Sequence, residues 1–244
     1  MKPGLPLLAT LSIAALTITG CATSTPPAGY DYSGFRAETP RSILVLPTLN
    51  NTLNVDAPDY FLSTLSAPFA ERGYYVFPAH MVKSTLEESG LADPGPLFEA
   101  DTTRLGELFG CDMALYVAIN RWDSQYVVLA TQTTVEFEYQ LRSCRTNETM
   151  WTHTEAMTYS PQASSSGNPL ADLVAQAVVA AMEKAAPNYM PLARQANLYA
   201  VSRGGRGLPA GPYLPESYLA DTEVFSARTD AAPAPKPDDA IALD

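Results

Sequence analysis

The sequence holds few of the residues that most catalytic, metal-binding and nucleic-acid-binding proteins require. Of its 244 residues, 15 are lysine or arginine and 26 are aspartate or glutamate, so the formal net charge is −11. A protein that binds nucleic acid needs basic clusters to displace counterions from the phosphates, and the sequence has none. Its two histidines and three cysteines lack the spacing of zinc ligands. We therefore predict no cofactor, no bound metal and no nucleic-acid partner.

Long apolar runs are equally scarce. The one run that approaches the length of a membrane span lies at the N-terminus, which excludes a polytopic membrane protein. Residues 1–20 begin with a basic residue, continue with an apolar stretch from Leu5 to Ile18 and end in small residues. This pattern is typical of a secretory signal. We predict that residues 1–20 form a signal peptide that is removed from the mature protein.

The end of this signal is more specific than an ordinary cleavage site. Ile18-Thr19-Gly20-Cys21 resembles the bacterial lipobox, in which an aliphatic residue and two small residues precede a cysteine. The thiolate of that cysteine forms the thioether to diacylglycerol, and two or three acyl chains anchor a protein firmly. A cysteine that merely follows an ordinary signal is the alternative. Ala22 replaces the aspartate that favours inner-membrane retention in enterobacterial lipoproteins, so we predict an outer-membrane anchor with the domain facing the periplasm.

Two cysteines remain after the signal. The periplasm is oxidising, so Cys111 and Cys144 are permitted to form a disulfide. The alternative is a pair of small buried thiols. Neither cysteine belongs to a C-x-x-C pair of the kind found in redox and zinc sites. Both alternatives stay open from the residues alone.

Composition divides the mature chain into four segments. Residues 21–38 contain the lipidated cysteine and a Ser/Thr/Pro/Gly-rich stretch without periodicity, which predicts a flexible tether. Residues 39–200 are predicted to form the folded domain, and residues 201–216 a Gly/Pro-rich coda. Residues 217–244 include an Ala/Pro/Asp tail that buries too little surface to order itself.

Hydrophobic periodicity predicts an α/β fold. The order β-α-β-α-α-β-β-β-α indicates a single domain whose mixed sheet is packed with helices. Alternation over residues 133–142 is typical of an antiparallel strand with one wet face. A helix begins at Pro169, after the capping Asn168. We predict that its apolar stripe is core: Leu170, Leu173, Val174, Ala177, Val178, Ala181 and Met182.

The sequence contains few side chains that could form a catalytic site. His80 follows a predicted strand, and His153 lies two residues from Glu155 on another strand, where a surface contact is a simpler interpretation than a proton relay. The sequence has no G-x-S-x-G elbow. Arg203 and Arg206 flank glycines without a phosphate-loop motif, so we predict a solvated turn there. The chain is predicted not to be an enzyme.

Two groups of residues are candidates for a partner surface. Glu136 and Glu138 share the wet face of the alternating strand and are interpreted either as solvated charges or as a docking surface. Tyr30 and Tyr32 lie in the predicted tether, where tyrosines either pack back on their own domain or anchor an interface.

Short strings along the chain resemble a family of bacterial lipoproteins of unknown function that includes a neisserial vaccine-candidate antigen. The matching strings are Tyr30-Asp31-Tyr32-Ser33, residues 40–47 with Asn50-Asn51, residues 73–78, Phe109-Gly110 through Ala114-Leu115-Tyr116, Trp151 after the Arg145-Thr146 turn, and Gly211-Pro212-Tyr213.

This resemblance implies an envelope location and an α/β domain similar to that of envelope assembly lipoproteins, among them the curli-secretion lipoprotein and activators of cell-wall synthases. It therefore implies other envelope proteins as partners, reached from a membrane anchor at Cys21, and a structural or assembly role. Regulation of a cell-wall synthase and binding of a small ligand are the alternatives. The family supplies no established catalytic residue. Cys111 and Cys144 stand where the resemblance leads us to expect alanine and leucine.

Overall fold

A six-stranded mixed sheet forms the centre of the protein, with helices on both faces. Its path is β3-β1-β4-β5-β6, with β2 also beside β4. The strands are β1 (Ser42–Val45), β2 (Leu49–Asn50), β3 (Tyr75–Val76), β4 (Met113–Val127), β5 (Ala130–Ser143) and β6 (Thr149–Tyr159). The helices are α1 (Ser33–Glu38), α2 (Ala57–Glu71), α3 (Ala79–Glu88), α4 (Pro94–Glu99), α5 (Thr103–Phe109), α6 (Pro169–Ala185), α7 (Tyr189–Ser202) and α8 (Pro215–Val224). This computed structural model describes residues 30–91, 93–127, 130–160, 169–185 and 189–225.

The predicted fold class is confirmed. β1 runs parallel to both β3 and β4, whereas β4, β5 and β6 form an antiparallel meander in which Val117, Tyr139 and His153 lie at one level. Among the described ranges, none of the helices combines the length and the apolar character needed to cross a bilayer. The signal peptide and Cys21 lie outside the described residues.

Several elements were not predicted. The chain adds α1, the short β2, α7 and α8, and it has three helices instead of two between β3 and β4. The second of these three helices, α4, begins within the Pro/Gly stretch at residues 93–96. Pro94 occupies an early helical position, where its missing N–H costs nothing, and Asp93 caps the helix by accepting from the Gly95 N–H at 2.9 Å.

Two hydrophobic cores lie on opposite faces of the sheet. The first core packs α2 and α7 against the sheet through residues such as Phe61, Leu192 and Phe137, with the rings of Phe61 and Phe137 stacked 4.1 Å apart. The second core packs α3, α4 and α5 against the other face, around Leu86 and Tyr116. Because β1 contributes to both cores, this strand is covered on both faces.

A chain of buried hydrogen bonds crosses the first core. The Tyr139 hydroxyl donates to Asn197 Oδ1 at 2.6 Å, and Asn197 Nδ2 donates to Thr64 Oγ1 at 2.8 Å. The Thr64 hydroxyl in turn donates to the Phe61 carbonyl at 2.6 Å. Burial raises the pKa of Tyr139 well above its usual value, so this hydroxyl keeps its proton and donates. The chain joins β5, α7 and α2 in one fixed arrangement.

The predicted tether is wrong for residues 30–38. Tyr32 and Phe35 are buried in the first core, and the Tyr32 hydroxyl donates to the Gly207 carbonyl at 2.6 Å. Arg36 Nη2 donates to the Asp221 carbonyl at 2.7 Å. The burial of Tyr32 and Phe35 outweighs the cost of ordering this segment. Residues 21–29 lie outside the described part of the chain.

The C-terminal boundaries at residues 200, 216 and 217 also differ from prediction. The segment after α7 is packed, since Leu208 and Ala210 are buried. α8 then follows, and Phe225 beyond it is 2% exposed. The disordered tail predicted over residues 217–244 is therefore wrong for 217–225, and residues 226–244 are outside the description.

One carboxylate and one close backbone approach hold this segment in place. Asp221 Oδ2 accepts from Arg72 Nη2 and from the Ala210 N–H, both at 2.7 Å. A Cβ on Gly211 would collide with the Gly73 carbonyl, so only glycine permits the coda to lie against the end of α2.

Cys111 and Cys144 form a disulfide, with their Cα atoms 6.0 Å apart. The bond joins the segment between α5 and β4 to the residue after β5, and both cysteines belong to the second core. The alternative of two buried thiols is therefore wrong. Gly106 lies directly against this connection, because a Cβ there would overlap the Cys144 carbonyl.

Removal of this disulfide should lower the free energy of unfolding. We expect the C111S/C144S double variant to lose about 3–4 kcal/mol, because the crosslink closes a loop of 33 residues in the unfolded chain. Guanidinium denaturation followed by circular dichroism measures the loss. The wild type treated with dithiothreitol serves as the matched control and should unfold at the same midpoint as the double variant. An oxidised wild type that unfolds at that same midpoint would contradict the expected stabilisation.

Candidate functional site

The four residues predicted as a partner surface lie in different environments. Glu138 is exposed on β5 and Glu136 is half-buried beside it, on the outward face that the alternation predicted. Tyr32 is 1% exposed, so its assignment to a surface is wrong. Tyr30 is half-buried, and its ring centroid lies 5.0 Å from that of Tyr32. The alternative in which a tyrosine packs back on its own domain is the correct one for Tyr32.

The outward face around the two glutamates is polar, and Glu138 lines a hollow there together with Tyr30 and Thr154. Glu138 is flanked across the strands by Ala118 and Thr154, and Glu136 by Arg121 and Ala156. Arg121 directs its guanidinium to Asp123 at 3.6 Å. A docking role for this face stays a prediction.

The two histidines lie at different edges of the sheet. His80 is exposed near the start of α3, next to the short edge strand β3, whereas His153 lies on the opposite edge strand, β6. His153 Nε2 is 2.9 Å from Glu155 Oε2, and these side chains are 7% and 11% exposed. The imidazole stacks on Trp151 with a centroid separation of 5.8 Å. The expected surface contact is therefore a mostly buried pair.

A polar hollow of about 440 Å³ lies beside this pair. Tyr30 and both arginines of the turn after α7, Arg203 and Arg206, contribute to its walls. Arg203 Nη1 lies 3.9 Å from Glu155 Oε2, so the arginine partly balances the carboxylate. The predicted solvated turn is confirmed, because Arg203 and Arg206 are both exposed, while the backbone carbonyl of Arg206 accepts from Trp151 Nε1 at 2.9 Å. Over the ranges the structure describes, no group of three or more histidine, cysteine, aspartate or glutamate side chains is arranged to hold a metal.

The apolar stripe of α6 differs most from prediction. Its large side chains were predicted to be core, yet they face outward, with Leu173 at 47%, Val174 at 65%, Val178 at 53% and Met182 at 68% exposure. Ala180, two turns beyond Leu173 on the same helix, is buried, and its carbonyl accepts from the Thr131 hydroxyl of β5. The side chain of Leu170 is outside the description. We call Leu173, Val174, Val178 and Met182 the α6 face.

The prediction of a buried stripe failed because hydrophobic periodicity shows which side chains of a helix share a face, but it does not show what covers that face. α6 contacts the sheet at Ala180, and the four large apolar side chains are left for solvent or for another molecule. Contiguous exposed apolar side chains of this kind mark interaction sites in soluble domains.

The α6 face lies far from the start of the described chain. Thr131 of β5 contacts α6, whereas Gln140 of the same strand pairs with Thr152, which shares a hollow with Tyr30. Nine residues of β5 separate the two levels, which corresponds to about 30 Å along the strand. The α6 face and the N-terminal segment therefore mark different ends of the domain.

Comparison with known proteins identifies the family of this chain. The family model described as "Putative lipoprotein GNA1162-like" matches residues 30–213. The chain belongs to this family. The match begins at Tyr30 and ends at Tyr213, so it includes both the aromatic N-terminal segment and the coda that pack on the domain.

One sequence relative agrees with this assignment. The chain is 32% identical over 162 residues to the "Putative lipoprotein NMB1124/NMB1162" of Neisseria meningitidis serogroup B, covering 66% of this chain and 74% of the relative. The crystal structure of lipoprotein GNA1162 from Neisseria meningitidis is 31% identical, covers 59% of this chain and 98% of its own, and superposes with a TM-score of 0.49. The LpoB C-terminal domain from Salmonella enterica is 18% identical, covers 49% of this chain and 84% of its own, and has a TM-score of 0.32, which is too low to transfer any property.

The same substitution on two helices should separate the α6 face from the core. We expect Leu173→Asp to change the free energy of unfolding by less than about 1 kcal/mol, because this side chain is half exposed and an aspartate there stays in contact with water.

Leu192→Asp on α7 is the matched variant. This side chain is 7% exposed in the first core, so we expect a loss of about 3–5 kcal/mol or no folded protein, because a carboxylate would be buried without a partner. Thermal melting of both variants checks this pair. Equal destabilisation by the two substitutions would show that the α6 face is buried.

Proposed function

We propose that this protein is a non-enzymatic outer-membrane lipoprotein that holds an α/β domain in the periplasm as a structural or assembly component of an envelope complex. Three observations support the proposal. The chain belongs to a lipoprotein family, a lipobox-like string ends at Cys21, and the α6 face is exposed. The last of these carries the functional part, because it is the surface that a partner would cover.

The distance between the lipid and the domain is short. The described chain already packs on the domain at Tyr30, nine residues after Cys21. Even fully extended, these residues span at most about 30 Å. The domain is therefore held next to the bilayer, and the α6 face lies about 30 Å along the sheet from the level of Tyr30.

The chemistry of the α6 face favours a protein over a lipid surface. Helices that lie on membranes carry lysine and arginine on their polar side. Residues 169–185 contain Asp172, Glu183 and a single basic residue, Lys184, and the whole chain has a net charge of −11. Branched side chains and a methionine suit the apolar centre of a protein interface. We infer that another envelope protein covers the α6 face.

Replacement of Cys21 tests the anchor. We expect Cys21→Ser to abolish metabolic labelling with palmitate and to leave an unprocessed precursor, because serine does not supply the thiolate that takes up the lipid. Cys111→Ser is the matched control and should be labelled like the wild type. Labelling that persists in Cys21→Ser would contradict lipidation at this residue.

Photocrosslinking in intact cells tests the docking role. We expect a photoreactive amino acid at Val178 to form an adduct with another envelope protein, identified by mass spectrometry. The adduct should disappear when Val174→Asp is added, because a charge in the apolar interface opposes binding.

A photoreactive residue at Glu88, which is exposed on α3, is the control position and should give no such adduct. A crosslink that forms only within the chain, or only between two copies of it, would show that the α6 face does not dock a different protein. Labelling that persists in Cys21→Ser would contradict the lipid anchor only. It would not contradict docking by the α6 face, which the crosslinking experiment tests separately.

A further inference from the structure

The helices that follow β1 and β3 leave the sheet on opposite faces, and this opens a crevice at the carboxyl ends of the two strands. α2 packs Phe61 and Leu65 in the first core, whereas α3 packs Val82 and Leu86 in the second. β1 and β3 are parallel neighbours, so their carboxyl ends meet at one edge of the sheet. In open α/β sheets, ligands bind at such topological switch points.

Two hollows lie side by side in this crevice. Their volumes are about 570 and 360 Å³, and both are lined by Asp59, Leu62 and Lys83. We call the two hollows together the switch-point cleft. Each has the size of a site for a small organic molecule. Four prolines that carry no N–H line the cleft and make its walls rigid before any ligand arrives: Pro47, Pro58, Pro78 and Pro94.

One buried side chain in the cleft has no partner within the described part of the chain. Thr48, which lines the smaller hollow just after β1, is 2% exposed, and its Oγ1 makes no hydrogen bond there. A buried hydroxyl without a hydrogen bond costs about 1–3 kcal/mol. Native proteins seldom keep such a group unless it serves a further purpose. A ligand group in the cleft would supply the missing partner.

The charges of the cleft are of both signs. Lys83 Nζ lies 2.7 Å from Asp59 Oδ1, and both side chains remain partly exposed, at 38% and 73%. Asp93 adds a second carboxylate in the smaller hollow. Two carboxylates disfavour a multiply charged anion such as phosphate. A ligand that carries one ammonium and one carboxylate matches the cleft better, because each of its charges finds an opposite one.

We propose that the switch-point cleft binds a small zwitterion of the amino-acid or short-peptide class. Its carboxylate pairs with Lys83, its ammonium with Asp59 and Asp93, and a carbonyl or amide of the ligand forms the hydrogen bond that Thr48 lacks. The proline rings and Leu62 enclose the aliphatic part. This binding is independent of the lipid anchor and of the α6 face, since it uses another part of the molecule.

Calorimetric titration of the purified full-length protein in detergent tests the proposal. The probe is dialanine, compared with its N-acetyl and C-amide derivatives and with sodium phosphate. We expect saturable binding of dialanine, weaker binding of both capped forms because each lacks one charge, and no binding of phosphate. Lys83→Met should remove the preference for dialanine over its C-amide, because it removes the partner of the free carboxylate.

Thr48→Val isolates the unpartnered hydroxyl. It should weaken dialanine binding by about three- to tenfold, the value of one hydrogen bond, while the melting temperature stays equal or rises. Thr85→Val on α3 is the matched control, since the Thr85 hydroxyl donates to the Met81 carbonyl at 2.9 Å, and it should bind like the wild type.

Four results would overturn the proposal. They are the absence of saturable dialanine binding, unchanged affinity in Thr48→Val, capped dialanine that binds as tightly as the free form, and phosphate that competes with dialanine. A melting temperature that falls in Thr48→Val would also overturn it, because the hydroxyl would then have a partner inside the protein.

Discussion

Coverage of the parallel strands on both faces is the constraint on which the rest of the structure depends. In β1, Leu44 belongs to the second core, whereas Ile43 and Val45 belong to the first. A strand of this kind needs helices on both sides of the sheet. The helices after β1 and β3 therefore diverge, and the switch-point cleft is the space between them. β5 and β6 are under no such constraint, so they keep one polar face.

Elements that depend on the pattern of residues within one segment were predicted well. Features that depend on contacts between segments far apart in the sequence were not. The alternation in β5 was recognised because the period of two in its side chains is that of a strand. By contrast, the burial of Tyr32 depends on Gly207 and Phe225, far along the chain. The apolar stripe of α6 was recognised, but its exposure depends on which surface the sheet offers. Likewise, the charges of the cleft come from segments whose proximity only the fold creates.

The two ends of the described chain are tied to each other. The ring of Tyr32 packs edge-on to Phe225 with centroids 5.0 Å apart, and the Arg36 side chain donates to backbone carbonyls at Asp221 and Phe225. The N-terminal segment, α8 and the end of α2 thus form one packed unit around Arg72 and its 2.7 Å contact with Asp221. A pull on the N-terminal segment is carried into these contacts and, through Tyr30 beside Thr152, directly into β6.

The disulfide between Cys111 and Cys144 also affects the timing of folding. Thiols stay reduced in the bacterial cytoplasm and oxidise after export. Under the proposed route, the newly made chain would lack its crosslink for as long as it has to remain loose enough to thread through a translocation channel. Under the same proposal, the bond would close in the periplasm. From then on the crosslink would raise the free energy of unfolding, because it constrains the unfolded chain.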